Sequence, residues 1–150
     1  MRPAPADWPR VSCAVFYDDP AKAIDWLRDA FGFEVRAKVE AGEGKILHSE
    51  LTYGGGLIMV GDAHAAHGPG PKRASPRSAG GVNTQAIMVY VDDVEAHSTH
   101  AKAHGAVIVK EPETSDYGDD WFTDRSYGCT DPEGHFWWFS QRLKDATAKK

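Results

Sequence analysis

The chain has 150 residues, 41% apolar and 26% charged, with a net charge of −5 and two cysteines. That is ordinary globular composition, enough to bury roughly 70% of the unfolded chain's surface in one domain or two small packed ones. The charge balance and the scattered lysines and arginines exclude a basic stripe for nucleic acid. No run of about 18 apolar residues offers a membrane span. Met1 to Arg10 is Pro-rich and polar, without the apolar core of a secretory signal, so a cytoplasmic address is expected. Cys13 and Cys129 both fall in apolar, strand-like runs and read as buried reduced thiols.

In chain order, an apolar stretch from about Ser12 runs through Val15-Phe16-Tyr17 into Asp18-Asp19-Pro20. The acidic pair caps a helix, and Pro20 suits its first position. Ile24, Leu27 and Phe31 recur at helical spacing, and Gly32 ends the helix. Strands follow at Glu34 to Val39, Ile46 to Tyr53 and Leu57 to Val60, with Gly54-Gly55-Gly56 forming a hairpin. Gly61 to Asn83 has linker composition, rich in glycine and proline, and reads as a connector or as a strap over a site. Then the order repeats. Val89-Tyr90-Val91-Asp92-Asp93-Val94 echoes Val15 to Pro20 at an offset of 74 residues. It leads into a helix from Val94 to His104, closed by Gly105, and strands at Val107 to Lys110, about Phe122 to Thr130, and Phe136 to Gln141. Asp131-Pro132-Glu133-Gly134 is the turn before the last strand. Each half therefore reads βαβββ, an α+β plan of mainly antiparallel strands with helices on one face. The boundaries are 10–62, a linker over 63–83, and 84–142.

Ala23-Ile24-Asp25-Trp26-Leu27, Ala30-Phe31-Gly32-Phe33-Glu34, Val91-Asp92-Asp93-Val94 and Asp131-Pro132-Glu133-Gly134-His135-Phe136-Trp137 together resemble the vicinal-oxygen-chelate superfamily. This group holds glyoxalases, extradiol dioxygenases and bleomycin-resistance proteins, and the chain is similar to its PhnB-like members. The resemblance covers about Arg10 to Gln141. It implies that the two halves build a cup-shaped, mainly antiparallel eight-stranded sheet with helices outside and a pocket inside, and that the protein is a homodimer. Metal-using relatives hold a divalent ion with four inward positions, which fall here on Ser12, Met59, Ala86 and Trp138. None is a ligand of the His, Glu or Asp type. A one-residue slip would add only Gln85. No metal and no other cofactor is therefore expected, and no nucleotide-binding loop occurs.

A pocket without an ion would recognise a planar or aromatic small molecule. By strand alternation, Phe136, Trp138 and Ser140 share one face, with Trp137 and Phe139 turned toward a helix. Ser12, Ala14 and Phe16 share another. Met59, Gln85, Met88, Tyr90, Trp121, Arg125 and Tyr127 complete the candidate wall. Arg125 either clamps an anionic group or pairs with Asp119 or Asp120. His48 and Glu50 lie on one strand face and form the candidate acid–base pair. His97, His100 and His104 read as a solvated helix face, His64 and His67 as solvated linker residues, and His135 as a packing residue of its turn. Two functions are in contention. One is sequestration of a small molecule in a resistance role, with neither nucleic acid nor membrane as partner. The other is a superfamily enzyme, a lyase, isomerase or dioxygenase-like protein with a displaced metal or the His48/Glu50 pair.

Overall fold

The computed structural model describes residues 1–65 and 70–147, so His67 and the Lys149-Lys150 tail lie outside the described residues. The chain divides into two compact units, Met1–Gly81 and Val82–Lys150. Each is a βαβββ unit with one four-stranded sheet.

In the first unit, β1 (Cys13–Tyr17) leads into α1 (Pro20–Trp26), continued by a π-helical turn at Leu27–Phe31. Asp19 caps α1, accepting from the Lys22 N–H at 3.1 Å, with Pro20 at the first helical position. Gly32 ends the π turn in the left-handed conformation, φ 87°. Then come β2 (Glu34–Glu40), β3 (Ile46–Tyr53) and β4 (Gly56–Asp62). The sheet order is β1-β4-β3-β2, with β1 parallel to β4 and the other pairs antiparallel. Val15, Tyr17, Leu51, Ile58 and Val60 bury one face of this sheet, in the same core as Ile24, Leu27 and Phe31 of the helical segment. Ser49, fully buried, accepts from the Val60 N–H at 2.7 Å and donates to its carbonyl at 2.8 Å, so its hydroxyl joins two strands without an unpaired polar atom.

The second unit repeats the plan: β5 (Ile87–Tyr90), α2 (Val94–Ala103), β6 (Val107–Asp116), β7 (Thr123–Thr130) and β8 (Phe136–Lys144). The order is β5-β8-β7-β6, again with a single parallel pair, β5 with β8. Asp93 caps α2 as Asp19 caps α1, accepting from the Ala96 N–H at 3.0 Å. Trp137, Phe139, Tyr127 and Cys129 are wholly buried on the face toward α2. Strands β6 and β8 run further than their sequence patterns suggest, β6 to Asp116 and β8 to Lys144.

Cys13 is exposed, not buried, and both cysteines are free. Burial, with Asp131 nearby, pushes the Cys129 thiol up to about 12, which leaves it inert. No helix among the described residues is long and apolar enough to cross a membrane.

Residues 70–81, read as linker from composition, fold onto the first unit. Asp18 accepts from Ser75 Oγ at 2.8 Å, Ser78 Oγ at 2.7 Å and Arg77 Nε at 3.2 Å, and His64 Nε2 stands 2.9 Å away. Burial raises the Asp18 carboxyl, but the hydrogen bonds from Ser78, Ser75 and Arg77 outweigh it and hold the group below its ordinary value of 3.8. A carboxyl depressed in the folded state contributes stability that is present above its unfolded value and lost as the pH falls through the folded one. Hydrogen exchange at 75–81, corrected for the intrinsic rate, should therefore accelerate below about pH 4. Asp18→Asn should show that fast exchange already at pH 7. Equal protection in both proteins at pH 7 would rule out Asp18 as the anchor.

Candidate functional site

The face of the first sheet away from the helix carries Ala14 and Met59, paired in register, and Phe16, paired with Gly61. A Cβ at Gly61 would stand 2.8 Å from Cδ1 and Cε1 of Phe16, so the edge of the ring occupies the space above bare backbone. The Arg73 guanidinium covers it at 4.5 Å from the ring centroid. Ser12 accepts from the Trp8 indole N–H at 3.0 Å. A β-bulge between Val35 and Ala37 sets Arg36 beside Glu50, to which it donates at 3.1 Å while lying 5.2 Å from the centroid of the Trp8 ring. Trp8, Pro9, Arg36, Thr52, Leu57 and the glycine hairpin line a cleft of about 320 Å³. Sequence reasoning missed this cleft, because its Trp and Arg come from a segment without periodicity and from a bulge.

His48 and Glu50 do share this face, with His48 Nε2 3.6 Å from Glu50 Oε1. The Arg36 hydrogen bond holds the Glu50 carboxyl below its ordinary value. A carboxylate kept ionised in this way is a weak proton acceptor.

The corresponding face of the second sheet is more aromatic. Met88 pairs with Trp138 and Tyr90 with Ser140 across β5 and β8. Met88 is 55% and Tyr90 43% exposed, against near-zero exposure for Trp137 and Phe139 on the other face. Phe136 meets Trp138 edge to face, with centroids 5.1 Å apart. Both rings lie over Gly128, where a Cβ would stand 2.7 Å from Phe136 Cζ and 3.2 Å from Trp138 Cζ3. Lys110 Nζ sits 5.6 Å from the Trp138 ring centroid. The result is an open patch of rings with a thioether beside it on one sheet face, a platform where the two rings meet at 80° and offer both an edge and a face to an aromatic ligand.

Beyond Tyr90 the platform ends in a polar group that the sequence did not reveal. Arg142 Nε donates to Asp124 Oδ1 at 2.6 Å, and Arg142 Nη2 donates to the Tyr90 hydroxyl at 2.6 Å. The Tyr90 hydroxyl donates in turn to Asp124 Oδ2 at 2.8 Å. The Arg142 guanidinium lies 4.3 Å from the Phe122 ring centroid.

Two expected wall residues turn the other way. Tyr127 pairs with Phe139 in register, stacks on it at 5.3 Å and reaches His97 Nδ1 at 2.6 Å through its hydroxyl. It belongs to the core under α2, and so does His97, whose ring lies 4.3 Å from Phe139 and not in a solvated row. Arg125, two residues before Tyr127, shares that face and pairs with Glu95 of α2 and with Thr114 Oγ1, not with Asp119 or Asp120. Asp119 is held instead by Lys144 at 2.7 Å. Trp121 is exposed on the β6–β7 loop, and Gln85 is exposed before β5, accepting from Thr84 Oγ1 at 2.6 Å. His135 is buried in its turn, as expected of a packing residue.

The positions that the resemblance assigns to metal ligands do not fit a divalent ion. Ser12 is engaged by Trp8, and Met59, Ala86 and Trp138 present a thioether, a methyl and an indole. Their register partners Ala14 and Met88 are no better donors. Among the described residues no group of three or more His, Cys, Asp or Glu could hold a metal.

Two βαβββ units in tandem, each with one parallel pair closing its sheet order, define the class of protein. The chain belongs to the Glyoxalase/Bleomycin resistance protein/Dioxygenase superfamily, whose family model matches residues 11–139. It is 32% identical over 138 residues to an uncharacterised protein of Mycobacterium bovis, covering 91% of this chain and 86% of that one. The crystal structure of TioX from Micromonospora sp. ML1 is similar at 30% identity and a TM-score of 0.66, covering 95% of this chain and 100% of that one. A superfamily member from Sphaerobacter thermophilus shares the fold at 17% identity and a TM-score of 0.62, covering 87% of this chain and 94% of that one.

Proposed function

We propose that the protein binds a small planar, aromatic molecule on the platform of Phe136, Trp138, Met88 and Tyr90, and sequesters it without turnover. The observation that carries this reading is the Gly128 floor, which lets two rings lie open on a sheet face. Exposed aromatic area of this kind is uncommon unless something covers it. The family description names bleomycin resistance beside two kinds of enzyme, and a resistance role fits the first of these. The working form is a cytoplasmic homodimer that engages neither nucleic acid nor membrane. The donor set at the family's metal positions and the Arg36-bound Glu50 both weigh against the enzyme reading.

The test is a titration of intrinsic tryptophan emission with fused-ring compounds, comparing the wild type with Trp138→Ala. Saturable quenching should weaken at least tenfold in the variant. Quenching that is unchanged in Trp138→Ala would place the ligand elsewhere. Activity lost on chelation and restored by one metal would favour the enzyme.

A further inference from the structure

The proposed platform is not electrostatically neutral. One end carries Lys110 over Trp138, and the other carries Arg142 against Phe122 and Tyr90. The two guanidinium edges of Arg142 differ in kind. Its Nε edge is fixed by Asp124, which is 5% exposed and also holds Tyr90. Its Nη1 donates to Asp145 at 3.0 Å, a carboxylate whose side chain is 84% exposed. An exposed pair of that kind contributes little and exchanges readily. A guanidinium has five N–H donors in a fixed fork, and three are used by Asp124, Tyr90 and Asp145.

We infer that the platform takes an aromatic carboxylate, whose rings stack on the Trp138–Tyr90 strip and whose carboxylate replaces Asp145 on the Nη edge of Arg142. The inference rests on the platform reading and adds the charge of the ligand to it. Asp124 makes the site specific, because it orients the fork and leaves the outward edge for a second, planar, bidentate acceptor. Phe122 lies against the guanidinium, its ring centroid 4.3 Å away, while the Tyr90 hydroxyl holds Nη2. Trp138 and Arg142 are four residues apart on β8, about 13 Å along the strand, so a fused two- or three-ring acid spans the site better than a single ring. The preference runs against the net charge of −5, which by itself favours cations.

The experiment is calorimetric titration of the full chain with a matched set: 2-naphthoate, 2-naphthamide and 2-naphthylmethylammonium. The acid should bind at least tenfold tighter than the amide, and the ammonium weakest. Arg142→Gln should bring acid and amide within about twofold. Asp145→Asn, an exposed change that leaves the fold alone, should tighten the acid by about twofold, the scale of an exposed ion pair, and leave the amide unchanged. That variant decides the matter even if Arg142→Gln fails to fold. An amide or ammonium that binds wild type as well as the acid does overturns the inference and leaves the platform standing. An acid that binds Asp145→Asn no more tightly than wild type overturns it too. Failure of all three compounds to bind at millimolar concentration removes the platform itself.

Discussion

Substitution of Asp131 by alanine should lower the unfolding free energy by about 3–4 kcal/mol, measured by urea denaturation. Asp131 is 3% exposed at the turn before β8. Its Oδ1 accepts from the backbone N–H of Glu133 at 3.1 Å and of His135 at 3.0 Å, and its Oδ2 accepts from the Trp137 indole N–H at 3.1 Å. Alanine strands three donors at once, at about 1–3 kcal/mol for each that water cannot reach. All three donors share one carboxylate and are lost together, so their penalties do not add in full and the sum lies below three separate ones. Asparagine at 131 keeps the Oδ1 acceptor but turns an amide N–H₂ toward the indole N–H, so Asp131→Asn should fall between alanine and wild type. A loss below about 1 kcal/mol for alanine would show that the turn is held by its backbone alone.

Gly128→Val should weaken planar-ligand binding at least tenfold, about 1.4 kcal/mol, while the chain still folds. The two rings rest where the valine Cβ and its methyls would stand, and Phe136 Cζ would be only 2.7 Å from the Cβ. Both rings must tilt off the sheet. Overpacking of this kind costs about 1–3 kcal/mol, moderated here because Phe136 and Trp138 are only half-buried and can move outward. Gly128→Ala should lie between. Tryptophan emission follows binding, and urea unfolding follows stability. A valine variant that binds as wild type does would remove Gly128 and the rings above it from the site.

The duplication, the caps at Asp19 and Asp93 and the αL glycine at Gly32 could all be read before any coordinate, because each rests on local chemistry. The alternation of β8 was legible as well, since its Trp and Phe residues differ from their neighbours in sequence phase only. Strand β7 was not. It reads Thr-Asp-Arg-Ser-Tyr-Gly-Cys-Thr, with only Tyr127 and Cys129 to mark a core face at its far end, so the local pattern is too weak to say which of Arg125 and Asp124 faces α2. Only pairing in register with Phe139 fixes Tyr127, and with it Arg125, on the core side. Arg142 lay one residue past the expected end of β8, in a stretch without apolar periodicity. Its importance comes from Asp124 and Tyr90, which stand 18 and 52 residues away. Arg36 reaches Glu50 only through a bulge, and bulges leave no mark in hydrophobic pattern.

Strand β6 stands at the outer edge of the second sheet and exposes Val107 and Val109, an arrangement that invites another chain to extend the ladder. Pro112 interrupts it. The residue has no N–H to offer, and the β6–β7 register skips between Lys110 and Glu113 around it. An intruding strand would find a continuous template only over the first few residues of β6, before charged Lys110 and Glu111. One residue with no part in ligand recognition thus serves colloidal stability, separating a rim that can stay bare at high concentration from one that would seed fibrils.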